Sequence, residues 1–550
     1  MKRYLTIGML AVFLGVFLMS ACAVEHEEGV TSGSGDYEGL IGLFKEWRDF
    51  NSPVITDGVP DYTAAAMAEQ REDLKQMQSR LAAIDSSSWP IPQQVDYHIV
   101  RAEMNGLEFD HRVLRPWSRN PCFYSVIYLS PSDVPILEGP WKYGTLCLWK
   151  YDFPLSDEQA DDFQMKIRAI PPLLEQARNN LTEDAKDLYD LAIDQKQKES
   201  AFLEDLARRV EDDRPGIAAD IMKAGAAVDE FRGWLESRAD GMTAPSGIGV
   251  ENYNWYMKNV HLIPYTWEDQ VVILERELQR SHACLKFEEH RNRSLPALKP
   301  PESREEYQRR FDEAVDEFMN FLEEKEIMTV PDYLQPTLRR SRVRFIPPGE
   351  LRDFFNQVDY HDALPLRCHG THWFDLARIK HEPHPSPIRS AQLLYNIWDS
   401  RAEGLATGME EMMMHSGLMD KRPRAREIVY IMLANRAARG MGDLKMHSNE
   451  FTKEDAVDYA VRWTPREWLP PDGNTVWFDE QLYLVQPGYG TSYVVGKIHL
   501  EKLIADVQKL RGDAFTLKSF FDDFHTHGMI PLSLIRWEMT GLEDEINKLW

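Results

Sequence analysis

The chain has 550 residues, 43% hydrophobic and 11% aromatic, which is enough to build a large core and excludes disorder as its default state. Its 89 acidic and 63 basic residues leave a formal charge of -26. That balance excludes the basic stripes of a protein that tracks nucleic-acid phosphates, and it suits an anionic membrane surface poorly.

The first element is a targeting segment. Lys2 and Arg3 precede an apolar run from Leu5 to Met19. That run is shorter than the ~20 residues needed to cross a bilayer and reads as a signal peptide. Its Met19-Ser20-Ala21-Cys22 ending resembles the bacterial lipoprotein box. Residues 1–22 are therefore expected to be a lipoprotein signal, with Cys22 lipidated and holding the protein to the cell envelope by its acyl chains. Ala23 in place of Asp favours the outer membrane in a Gram-negative source. An ordinary secretory signal with a coincidental cysteine is the alternative. Residues 23–37 are polar and Gly/Ser-bearing, as expected of a flexible tether.

The rest of the chain carries mostly helical period. Met67, Leu74, Met77, Leu81 and Ile84 recur on one face of Thr63–Ile84. Ser156-Asp157-Glu158-Gln159 is a capping-box start, and Thr266 and Thr452 open further helices. Glu302 to Lys325 is amphipathic, and Ser390 to Ser416 reads as one long helix. Strand signals are sparse, Phe123–Leu129 being the best. The expected fold is mainly α with few short strands, and Pro347-Pro348-Gly349 divides a helical N-terminal lobe, 38–346, from a helical C-terminal lobe, 347–550, which carries the chemistry.

Cys122 and Cys147 are near enough in sequence to form one disulfide, whereas Cys284 and Cys368 stand alone. No disulfide framework or CxxC metal site is present. Cys368 beside His369 invites a nucleophile reading, but a small buried apolar residue is the more ordinary use of a lone cysteine.

Five histidines, His361, His369, His372, His381 and His384, precede a helix in which Asn396, Asp399, Glu403 and Glu410 share a stripe amid apolar residues. Buried acids need partners, so the stripe is either a ligand edge or a polar seam satisfied by arginines such as Arg389 and Arg401. His369 and His372 stand three apart and would share a helix face. With Glu403 they supply the two imidazoles and one carboxylate of an open zinc site, as would His361 with one of the pair. No HExxH occurs. Prolines around His381 and His384 suggest an extended surface loop. The Gly488-Tyr489-Gly490 turn leads into Tyr493, whose phenol would stabilise an oxyanion if it lay beside a metal, although such turns are also ordinary packing corners.

Together these segments resemble the bacterial domain-of-unknown-function 885 family, a group of exported, helical, zincin-like proteins. The similarity rests on Tyr265-Thr266-Trp267-Glu268 through Arg293, on Glu403-Gly404-Leu405-Ala406-Thr407-Gly408-Met409-Glu410, on Pro487 to Tyr493, and on Gly528-Met529-Ile530-Pro531-Leu532. It implies a two-lobed zincin-like fold with a central cleft. The family's His-Glu-x-x-Pro-Gly-His motif is matched in register by His361-Asp362-Ala363-Leu364-Pro365-Leu366-Arg367, with Asp for Glu and Arg for the second His. A shifted register restores His369 or His372. The resemblance implies Glu403 as a metal ligand, Asp362 as a shortened general base and Tyr493 as a transition-state donor. The expectation is a lipid-anchored hydrolase of peptide or amide bonds using one zinc ion. The alternatives are a metal-free descendant that binds a peptide or envelope component without cleaving it, and a purely structural lipoprotein.

Overall fold

Helix starts in this chain are written locally. Thr266 and Thr452 each accept from the backbone N–H three residues on, while Asp269 and Asp455 return a bond to the cap backbone. Ser156 and Ser303 cap the helices Asp157–Asn180 and Arg304–Glu324 by the first of these bonds, accepting from the Gln159 and Glu306 N–H groups. Each such cap satisfies an orphan N–H and contributes about 1 kcal/mol. The computed structural model describes residues 36–129, 143–340, 342 and 344–550. The signal segment, Cys22 and nearly all of the tether lie outside the described residues.

The described residues are mainly helical. Their strands are two-residue pairs: Ile55–Thr56 antiparallel to Val59–Pro60, and Ile127–Tyr128 parallel to Leu146–Cys147. Of the strand expected over Phe123–Leu129, Ile127–Tyr128 form; Phe123 and Tyr124 belong instead to a 3-10 turn, Pro121–Tyr124, started by Pro121 and capped by the Asn120 side chain. Cys122 and Cys147 are two buried thiols, donating to the carbonyls of Leu188 and Thr145, and do not form a disulfide.

Two large cores hold the helices. One is built by Asp157–Asn180, Lys186–Val210 and Pro215–Ala239, with Phe163, Leu203 and Phe231 fully buried. The other runs from Leu40 to Leu549, so helices from both ends of the chain share it. Its axis is Ala425–His447, which is buried on almost every side. Trp267–Arg291 and Tyr489–Arg511 pack along that axis, and Asp399–His415 packs on Tyr489–Arg511.

The long helix expected over Ser390–Ser416 starts later, at Asp399. A 3-10 turn, Leu394–Asn396, precedes it, with Tyr395 and Asn396 at φ of 57° and 52°. The cause is tertiary. The Tyr395 ring lies where a side chain on Gly106 would stand, 2.3 Å from that missing Cβ, and its hydroxyl donates to Asn51. Seating the ring there costs two left-handed residues, which no α-helix tolerates.

Candidate metal centre

The histidine segment folds as three short helices, Phe354–His361, Leu364–His369 and His372–His381. His369 ends the second and His372 begins the third, so the pair straddles the Gly370-Thr371 joint instead of sharing one helix face. A Cβ on Gly370 would stand 2.3 Å from a Leu338 methyl, so a larger residue at the joint would have to displace that side chain. His372 Nδ1 lies 2.7 Å from the His369 carbonyl oxygen, which only accepts. The Nδ1 proton is thereby fixed, so Nε2 is the nitrogen that carries the lone pair.

Glu403 reaches the same point from the opposite side. Its helix touches Tyr489–Arg511 at two facing glycines: a Cβ on Gly404 would lie 2.4 Å from Gly496, and one on Gly496 would lie 2.0 Å from the Ser400 carbonyl oxygen. This backbone contact brings Tyr489 Oη to Glu403 Oε1, donating at 2.5 Å. Gly488, at φ 87°, turns the chain into the Tyr489 helix, and Asp443 accepts from the N–H groups of Gly488 and Thr491.

His369, His372 and Glu403 each offer one donor atom, and the three atoms lie within 4.8 Å of one another. His369 Nε2 and Glu403 Oε2 are 3.6 Å apart. Two ligands of one tetrahedral zinc, each at ~2.0–2.1 Å, sit roughly 3.3 Å apart, so this pair fits with a small closure. Burial, and then the nearby charge of Arg436, hold the His369 imidazole well below the usual histidine range, in the neutral form a metal needs. Behind it, Glu410 Oε1 stands 3.0 Å from Nδ1, and Arg436 bonds Glu410 at 2.7 Å. Burial pushes Glu410 up to about 8 against the pull of that arginine. Arg436, which only donates, also reaches His369 Nδ1 at 3.1 Å, so the far side of the ring is held between a guanidinium and an acid.

These donors open on a cavity of about 480 Å³, also lined by Arg367, Trp373, Phe478, Asp479 and Tyr493. Tyr493 lies with its ring centroid 6.2 Å from that of His369, and burial first and then Glu403 keep its phenol protonated. Asp479 pairs with Arg439, whose guanidinium stands 5.5 Å from the Tyr493 ring centroid. Arg367 answers its own charge with Asp359 at 2.7 Å and with the Phe311 ring at 4.2 Å.

The structure does not bring every candidate here. His361 Nδ1 donates to the Gln357 carbonyl at 2.7 Å, and the ring stacks on Trp468 at 4.5 Å. Asp362, expected as the base, does not line the cavity; it accepts from the Leu364 N–H and from Arg422 at 3.1 Å. One residue of chain separates these two from the next helix, and the Leu364 N–H and Arg422 hold Asp362 buried but off the cavity. Cys368 is fully buried, its thiol pushed up and donating to the Leu364 carbonyl, which leaves it no role as a nucleophile. His381 stacks on Tyr333, and His384 accepts from the Ser386 N–H. The acidic stripe is split in use: Asn396 donates to Gln486, Glu403 faces the cavity, and Glu410 backs His369. Arg389 and Arg401 serve other acids, Asp96 and Asp375.

Sequence reasoning missed Arg436, Arg439, Asp443, Asp479 and Tyr489. A signal existed for the first three. The helix Ala425–His447 reads as apolar around its circumference, yet places Arg436, Arg439 and Asp443 at steps of three and four on one side.

The sequence matches the family described as "Bacterial protein of unknown function (DUF885)" over residues 50–342 and 359–539. The chain belongs to that family. Two solved structures share its fold. One, described as "a putative lipoprotein of unknown function" from Shewanella oneidensis, is 16% identical at a TM-score of 0.66, covering 93% of this chain and 100% of its own. The other, "the putative lipoprotein from Colwellia psychrerythraea", is 14% identical at 0.62, covering 92% and 99%. No curated protein matches the family member described here. Among the described residues no helix is long and apolar enough to cross a membrane.

Proposed function

We propose that this family member is an envelope lipoprotein, anchored through Cys22, on a zincin-like frame that binds one zinc ion and hydrolyses peptide or amide bonds. The observation that carries the reading is the convergence of His369, His372 and Glu403 on one cavity that also presents a phenol. Bound zinc would supply Lewis acidity and lower the pKa of a water toward ~7. The residues supply the rest. His372 is held by its carbonyl bond, His369 between Arg436 and Glu410, and Glu403 by Tyr489. Tyr493 Oη, protonated by burial, is a donor for a developing oxyanion. Asp362 does not line the cavity, so the proton-accepting role falls to Asp479, which does line it and is itself paired with Arg439.

The position of Asp362 also favours a second reading, a metal-free or metal-holding protein that binds a peptide without cleaving it. Metal analysis of the soluble form lacking residues 1–22 comes first, with Glu403→Gln beside it. Near-stoichiometric zinc that falls in the variant, followed by cleavage of a peptide library that stops in Asp479→Asn, supports the hydrolase. Zinc uptake without cleavage leaves the binding reading, and no uptake removes the metal centre.

A further inference from the structure

We propose that the cavity continues over Phe478 and Leu482 into a side pocket that accepts one large aliphatic or aromatic side chain of an extended peptide. The proposal rests on the peptide reading of the same site and names its specificity. A second cavity of about 230 Å³ shares Phe478 and Leu482 with the first, and its other walls include Cys122, Leu191 and Val485.

One helix, Asn474–Val485, serves both spaces. Its first turns give Asn474, Thr475 and Asp479 to the donor cavity, and its last turns give Gln481 and Val485 to the side pocket. Phe478 and Leu482, four apart, lie on one face and form the saddle between the two. From Thr475 to Val485 the helix rises about 15 Å. A chain in extended conformation covers that span with roughly four or five residues. The side chain recognised would therefore sit a few residues from the reacting bond.

The chemistry of the walls selects the occupant. Leu191, Leu482 and Val485 are aliphatic, and burial pushes the Cys122 thiol up to about 12, so the floor carries no charge. Asp194 and Lys198, of opposite sign, stand at the pocket, so its charge favours neither an acidic nor a basic side chain. Phe478 is 54% exposed, whereas Leu482 is only 4% exposed. An aromatic ring left uncovered between two connected cavities is the place where a bound apolar group regains burial, at ~25 cal/mol per Å².

The test measures binding, apart from chemistry. Chelator-treated protein lacking residues 1–22 is titrated with dye-labelled pentapeptides of one parent sequence, carrying Phe, Leu, Ala or Glu at each position in turn, and fluorescence anisotropy is read. One position should prefer Phe or Leu over Ala by at least ~10-fold. Val485→Trp and Gln481→Trp, the second at a half-buried position that tolerates bulk, should abolish that preference while leaving zinc content unchanged. Peptides that bind without a preferred apolar position, a preference untouched in both variants, or no peptide binding at all would overturn the proposal. A preference that persists in protein that takes up no zinc and cleaves nothing keeps the side pocket and removes the hydrolase reading.

Discussion

Two buried clusters in the C-terminal half contain the same residue types and are built to different ends. Around Asp375, Arg401 pairs with the carboxylate, and His525 lies 3.5 Å from Asp375 and 3.3 Å from Arg401. Around Glu403, the arginine pairs with Glu410 instead, and the carboxylate facing the cavity is held by a tyrosine hydroxyl. In the first cluster the cation sits on the acid that the histidine needs, so the charges close on themselves. In the second Arg436 pairs with Glu410 and touches the outer nitrogen of His369 at 3.1 Å, but stands off Glu403, leaving two imidazoles and that carboxylate near one point. Composition does not separate a structural polar cluster from the proposed metal centre; what differs is whether an arginine sits on the carboxylate beside the histidines.

The largest expected contrast comes from breaking each cluster once. Asp375→Ala strands Arg401, which is 1% exposed, and should cost about 3–5 kcal/mol in denaturant unfolding without changing zinc per folded molecule. Glu403→Gln keeps an acceptor for Tyr489 and should cost about 1 kcal/mol, yet lose the metal. Equal stability losses from the two variants would show that the clusters are not different in kind.

The same contrast explains what the sequence could and could not carry. The helical class was legible from period and caps, because Thr266 and Thr452 act on residues three positions away. His369, His372 and Glu403 were legible as a set of donor types. Which histidines meet was not, since His361 is claimed by Trp468 and Asp362 by Arg422, both distant in sequence. The break before Asp399 was hidden for the same reason, since its cause is Gly106, nearly 300 residues away.

Acid should act on the closed cluster next. Burial holds His525 at about 4, below its ordinary 6.5, so the unfolded chain binds the extra proton between those values. Stability therefore falls as pH drops from 6.5 toward 4, by up to about 3 kcal/mol from this group. In His525→Asn the acid limb of the stability–pH curve should flatten by up to one proton. An unchanged slope would mean that His525 is already charged in the fold.

The helix contact that carries Glu403 gives a smaller, geometric test. Gly496→Ala places a methyl 2.0 Å from the Ser400 carbonyl oxygen and forces the two helices apart. Overpacking of this kind costs about 1–3 kcal/mol. Because the contact also sets Glu403 against Tyr489, zinc affinity should fall with it, whereas the same methyl at the open Gly216 should change neither.

The finest distinction is Tyr489→Phe. It removes one hydroxyl bonded to Glu403 and leaves the ring packed against Tyr493 at 5.7 Å. If the hydroxyl only satisfied a buried acid, its loss would appear as instability, since that acid would lose a hydrogen-bond partner. If it orients a ligand, the loss appears in metal affinity, where such outer partners are worth ~10-fold or more. Zinc titration against a chelator of known affinity reads the second quantity, and denaturant unfolding of the zinc-free protein reads the first. A tenfold weaker metal with stability changed by no more than about 1 kcal/mol assigns Tyr489 to the metal centre. The reverse pattern would place Glu403 with Asp375, as an acid buried for the fold.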